Sequence, residues 1–171
     1  RAAVAATRNK RIAVIATEGT VKGDAYPRAI RALEGDMSVV QQPCQVFVAL
    51  AEEGWTESSV TVAAAERYLG SLFEGAEAPD TIVLGCTHFP VLAAAIRQVI
   101  GGGVAIVDSA DTTAGAVADA LADKGMGNEA SGDGSMRFFA TDSPERFARV
   151  GAIFLGRPID TADVELIDLR S

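Results

Sequence analysis

Cysteine and histidine are nearly missing from this sequence: two of the first and one of the second in 171 residues. Two cysteines make no disulfide framework, and in a reducing compartment both stay free thiols. With a single histidine they cannot close a four-ligand zinc site unless carboxylates join. No C-x-x-C or H-E-x-x-H spacing occurs, so neither a structural metal nor a metal cofactor is expected. Hydrophobic runs are short. None approaches the roughly 18 apolar residues of a membrane span. No basic-then-apolar leader opens the sequence, which makes the cytoplasm the expected compartment. Basic charge is also short. Fifteen Lys and Arg against 23 Asp and Glu leave a net charge of −8 at pH 7. Nucleic acid and anionic membranes attract basic patches, so neither is an expected partner. There is no G-x-G-x-x-G and no phosphate-loop pattern, and the glycines at 101–103 read as a turn. Nucleotide binding has no support.

What is present is an ordinary globular composition, 49% hydrophobic and 22% charged, enough for one domain or two small lobes. Strand-length apolar runs alternate with helix-like stretches. "RIAVIAT" (11–17) reads as a buried strand. "AYPRAIRALEG" reads as a short helix with Tyr26, Ile30 and Leu33 on one face. "MSVVQQ" is a second strand. "VFVALAEEG" is too short for periodicity to separate helix from strand. Thr56 is a candidate cap for the helix "ESSVTVAAAERYLGSLF", whose shared face would hold Val62, Leu69, Leu72 and Phe73. "TIVLG" is a third strand, "PVLAAAIRQVI" a helix opened by Pro90, "GGGVAIVD" a turn and a fourth strand, and "TTAGAVADALADKG" a helix closed by Gly125. "GMGNEASGDGS" (125–135) reads as a linker. "MRFFAT", "SPERFARVGAIFLG" and "VELIDL" follow as strand, helix and strand. Alternation of this kind predicts an α/β fold with a largely parallel sheet flanked by helices. The first residue is Arg, and "RAAVAATRNK" reads as the end of a helix running into a strand, so a start inside a larger protein is expected.

Chemistry in such folds sits outside the carboxyl ends of the strands. Cys86 lies there, just after "TIVLG" and before the helix expected at Pro90. A helix amino end stabilises a thiolate and makes a cysteine a competent base or nucleophile. The competing reading is an inert buried cysteine, and spacing alone leaves the two level. His88, two residues on, could orient the thiol, protonate a product or contact a substrate carboxylate; a lone histidine is more often a packed or surface one. Cys44 in "QQPCQVF" has no basic neighbour and reads as a small core residue. Glu52 and Glu53 read as the solvated end of an element. "ATEGT" (16–20) offers Thr17, Gly19 and Thr20 to a carboxylate, or is a plain turn.

These segments together resemble a known family. "GCTHFPVL" looks like the second cysteine motif of bacterial glutamate racemases. "IAVIATEGTVKGDAYPRAI", "QPCQVFVALAEEGW", "VDSADTTA" and "FFATDSPERFARVGAIFLG" resemble further segments of that family, in family order. The related aspartate racemases typically carry Glu in place of this His. The resemblance implies cofactor-independent interconversion of L- and D-glutamate, the latter for the cell wall. Two cysteines on opposite sides of the α-carbon would move the proton. Carried over residue by residue, Cys86 deprotonates L-glutamate, His88 assists and helps bind substrate, Thr87 contacts a substrate carboxylate, and Glu52 hydrogen-bonds His88. Glutamate is the implied small-molecule partner, and a homodimer is compatible with the family.

The departure is as informative. The family's first lobe carries a D-S-G motif and a C-N-T motif with the first cysteine, and neither occurs here. Cys44 does not match. The resemblance therefore implies one complete lobe, 1–107, and a segment 108–171 that would close the other. It implies a fragment with little or no activity by itself, with apolar surface and a sheet edge left open beyond residue 108. Two alternatives stand beside it. One is a non-catalytic binding or regulatory protein derived from the same fold. The other is a cysteine hydrolase using Cys86 and His88, for which no oxyanion motif is apparent.

Overall fold

The structure, a computed structural model, describes residues 1–128 and 135–169. Its centre is strand β1 (Arg11–Ala16), in which Ile12 to Ala16 are all fully buried. A strand covered on both faces has no reason to alternate, and "IAVIA" is continuously apolar. β2 (Ser38–Pro43) pairs on one side of β1 and β3 (Thr81–Leu84) on the other; β4 (Ala105–Asp108) lies beyond β3. All pairings are parallel, in the order β2-β1-β3-β4. The expected α/β fold with a parallel sheet is what forms. Register pairs Ile15 with both Gln42 and Leu84, and Leu84 with Asp108. The four carboxyl ends therefore share one edge.

Alternate residues of β1 face opposite layers. Ile12 and Val14 pack with Ala3 of helix α1 (Ala2–Ala6), Ile30 of α3 (Ala25–Leu33), Met37 and Val83. Ala13 and Ile15 pack with Phe47 and Leu50 of α4 (Val46–Glu52), Leu69 of α5 (Ser59–Leu69), Phe89, and Ile96 of α6 (Ala93–Ile100). Each large apolar side chain so enclosed stabilises the fold by about 1.5–3 kcal/mol relative to exposure. A short helix, α2 (Glu18–Gly23), leaves the end of β1.

Several local expectations change. The "VFVALAEEG" stretch is the helix α4. Ser58, not Thr56, caps α5: its Oγ accepts from the Thr61 amide at 3.2 Å. That start turns Thr61, Ala65 and Leu69 inward, while Leu72 and Phe73 fall in a separate 3-10 turn, Gly70–Phe73. Thr61 tolerates full burial because its hydroxyl is bonded to the Trp55 carbonyl and to Ser58. Leu33, expected on the packed face of α3, is exposed; Pro27 and Ile30 hold that helix down. The helix expected from Pro90 is a 3-10 turn, Phe89–Leu92, followed by α6.

The chain forms two compact units, Arg1–Lys124 and Gly125–Ser171. α7 (Ser109–Asp123) is the last element of the first unit, capped by the Asp108 carboxylate, which accepts from the amides of Ala110 and Asp111. None of its residues is buried, and Val117 and Leu121 stay exposed. The second unit has a two-stranded parallel sheet, β5 (Phe138–Ala140) with β6 (Val164–Leu166), and helix α8 (Pro144–Leu155). Ala140, Ala148 and Val164 form its small core. Phe139 and Leu166 remain exposed. Of the expected linker 125–135, residues 129–134 lie outside the described residues. No helix among the described residues is long and apolar enough to cross a membrane.

Candidate active site

β1 has β2 on one side and β3 on the other, so the chain order switches at the β1–β3 carboxyl ends, the usual binding crevice of open α/β sheets. "GCTH" leaves β3 at that point. Gly85 is needed there. Its amide donates to the Ile15 carbonyl at 2.7 Å, and a Cβ on it would come within 3.0 Å of both that oxygen and Cε2 of Tyr26. Only a residue without a side chain lets β1, β3 and the Tyr26 ring meet so closely.

Cys86 follows, partly exposed. Its Sγ lies 3.8 Å from Nδ1 of His88, and Nε2 of His88 lies 3.2 Å from Oε1 of Glu52. A thiol, an imidazole and a carboxylate thus form one hydrogen-bonded chain. The carboxylate holds the ring by one nitrogen and leaves the other facing the sulfur. Two aromatic anchors make the alignment possible. Phe89, immediately after His88, and Phe47, on the helix that ends in Glu52, are both fully buried and meet edge to face at 5.4 Å. Such a pair stabilises by about 0.5–1.5 kcal/mol beyond the area it buries. It ties the turn carrying Cys86 and His88 to the helix carrying Glu52.

The other expected residues fall around this chain. Thr87 is exposed and borders an apolar groove of about 650 Å³ with Pro90 and the Thr113, Val117 and Leu121 face of α7. Thr17 and Thr20, at the end of β1, share a hydroxyl–hydroxyl contact of 3.1 Å. Cys44 follows β2 and lies inside the core, its Sγ 3.6 Å from the Gln42 carbonyl. Burial pushes its thiol up to about 12. Among the described residues no three His, Cys, Asp or Glu side chains cluster as a metal site. Sequence reasoning passed over Tyr26 as part of the site. It sits far from Cys86 along the chain, and its helical spacing marks only a packed face.

A model of the "Asp/Glu/Hydantoin racemase" family matches residues 1–117. The chain belongs to this family. Among curated relatives it is 44% identical, over its whole length, to the glutamate racemase of Geobacter metallireducens, and covers 62% of that protein. Among solved structures it superposes on a glutamate racemase of Bacillus anthracis with a TM-score of 0.85 at 30% identity, covering 99% of this chain and 61% of that one. A glutamate racemase of Francisella tularensis, solved in complex with D-glutamate, matches with a TM-score of 0.83 at 26% identity, over 98% and 62% of the two chains. The racemase-family chain described here thus spans about three-fifths of the length of the relatives it matches.

Proposed function

We propose that this chain is the part of a glutamate racemase that carries one of its two acid–base thiols. The single observation that carries the reading is the Cys86–His88–Glu52 chain at the sheet's switch point. The glutamate racemases it resembles supply the substrate class. Cys86 would take the α-proton of L-glutamate: the C–H bond breaks, an S–H bond forms, and the electron pair delocalises into the substrate carboxylate. His88 stands within reach of the sulfur's proton and Glu52 keeps its ring in place. Thr87 would hold a substrate carboxylate. No cofactor has a role in this scheme, and its product is D-glutamate for the cell wall.

Inversion needs a second acid on the opposite face. Cys44 does not qualify: it is fully buried, and a thiol pushed up to about 12 sits in the core beside a backbone carbonyl. The reading therefore assigns the second thiol to a lobe this sequence does not contain. Residues 1–107 form the lobe with Cys86, and 108–171 close the other. The unburied α7 and the exposed Phe139 and Leu166 support that assignment, since apolar faces of this kind ordinarily have a cover. The test is a coupled assay for D- and L-glutamate interconversion on the purified chain. The expected result is little or no turnover. Robust interconversion abolished by Cys86→Ser would show that the chain needs no second lobe.

A further inference from the structure

The residue that fixes the floor of this site lies on α3, well away from the turn that carries the thiol. We propose that Tyr26 is a positioning residue for Cys86: its ring braces the Gly85–Cys86 peptide and holds the thiol in register with His88. The inference rests on the reading of Cys86 as an acid–base thiol.

The geometry comes from three contacts. A Cβ at Gly85 would lie 3.0 Å from Cε2 of Tyr26, so the ring edge rests against the backbone atom that precedes Cys86. The half-buried ring packs against the cluster that holds Ile12, Val14, Ile30 and Val83, and borders a cavity with Ala29 and Val107. The helix behind it is fixed as well. Pro27 and Ile30 are buried, and Asp24, which precedes α3 in a left-handed conformation, accepts from Nε2 of Gln41 on β2 at 3.1 Å. The helix that carries the ring is thus tied to β2, and the ring bears on the thiol turn. The closeness is also electrical. The Tyr26 hydroxyl is held above its ordinary value, first by burial and then by the charge of Cys86.

Across the turn, Cys86 is tied to its helper by the 3.8 Å contact to Nδ1 of His88. A contact of that length is already long for a hydrogen bond, so a further displacement opens it. Removing the brace lets the Gly85–Cys86 peptide relax towards the vacated space. The thiol then loses the imidazole without any change to either group.

The test reads Cys86 directly and needs no turnover, so failure of the racemase reading in a glutamate assay and failure of this inference are distinguishable. The purified chain is alkylated with iodoacetamide from neutral to alkaline pH. Cys44 is fully buried, so the label reports Cys86, with the modified residue verified by peptide mass. Among the described residues, the titratable groups that face Cys86 include His88, with Glu52 behind it, and the Tyr26 hydroxyl, whose proton the charge of Cys86 helps to hold on. His88→Ala should slow alkylation at neutral pH about tenfold and change the pH–rate profile, since the thiol loses its hydrogen-bond partner at 3.8 Å. Tyr26→Ala should do the same, Tyr26→Phe should keep the wild-type profile, and Tyr26→Ala with His88→Ala should be no slower than His88→Ala alone. Far-UV circular dichroism checks folding; where Tyr26→Ala does not fold, Tyr26→Leu replaces it with the same expectation. A folded Ala or Leu variant with the wild-type profile overturns the inference. So does a loss that adds to that of His88→Ala, or a Phe variant as slow as the Ala variant.

Discussion

The two cysteines occupy matching places and share almost nothing else. Cys44 follows β2 and Cys86 follows β3, at the carboxyl edge of one parallel sheet. Cys44 turns into the core, beside Phe47 and Leu50, and its nearest polar neighbour is a backbone carbonyl. Burial holds its proton on. Cys86 turns out at the switch point, with an imidazole at 3.8 Å and a carboxylate behind it. What separates the two thiols is the neighbourhood, not the strand end. Phe89, Gly85 and Glu52 shape that neighbourhood, and each gives a way to press on the comparison.

The largest expected effect is at Phe89. Phe89→Ala removes a fully buried ring from beneath the Cys86 turn and should cost about 3–5 kcal/mol, read as a lower midpoint in urea unfolding. It should also slow alkylation of Cys86, because His88 loses its anchor. A stability loss with unchanged alkylation would separate the core from the site and weaken the account of how the turn is held.

Next is the alkaline limit at the other cysteine. The folded Cys44 thiol stands at about 12 against an ordinary 9.0. A group whose folded value is raised contributes stability below the unfolded value and loses it as pH climbs towards the folded one. Stability should therefore fall between pH 9.0 and about 12. Cys44→Ala should flatten that fall in chemical denaturation across the same window. An unchanged slope in the variant would mean that other groups carry the alkaline loss.

Gly85→Ala places a methyl within 3.0 Å of the Ile15 carbonyl, a backbone atom that cannot step aside. Overpacking of this kind costs about 1–3 kcal/mol, checked as a lower thermal midpoint. The smallest effect is at Glu52. Glu52→Gln keeps a hydrogen-bonding group against His88 but removes the charge. The rate of Cys86 alkylation at neutral pH should drop about tenfold, the equivalent of one charge-assisted hydrogen bond, with stability nearly unchanged. Cys44 should remain unlabelled in both variants.

Much of this was legible in the sequence. The uninterrupted apolar runs of β1 and β3 announce strands covered on both faces, and their alternation with helices announces a parallel sheet. The place of Cys86 after β3 marks the edge where sites form, and "GCTH" carries the resemblance to glutamate racemases. The pairing of His88 with Glu52 came through that resemblance, since nothing in spacing links residues on α4 and on the β3 turn. Tyr26 was illegible for a similar reason. Its role comes from a through-space approach to Gly85, and helical periodicity reports only which face is apolar. The start of α5 was misplaced because Thr56 and Ser58 are both sound caps, and only the buried Thr61, bonded to Ser58 and to the Trp55 carbonyl, selects between them. The parts after β4 resist reading for another reason. α7 carries its apolar residues on a helix that buries none of them, so helical periodicity there marks an apolar face without naming what it packs against.

The central claim is that Cys86 moves the substrate proton and Cys44 does not. The most direct measurement is glutamate racemisation, followed by optical rotation, in a chimera that places the corresponding N-terminal part of the Geobacter metallireducens relative ahead of Arg1. The account predicts turnover that Cys86→Ser abolishes and Cys44→Ser spares. Turnover that survives Cys86→Ser, or that vanishes in a folded Cys44→Ser variant, would contradict it.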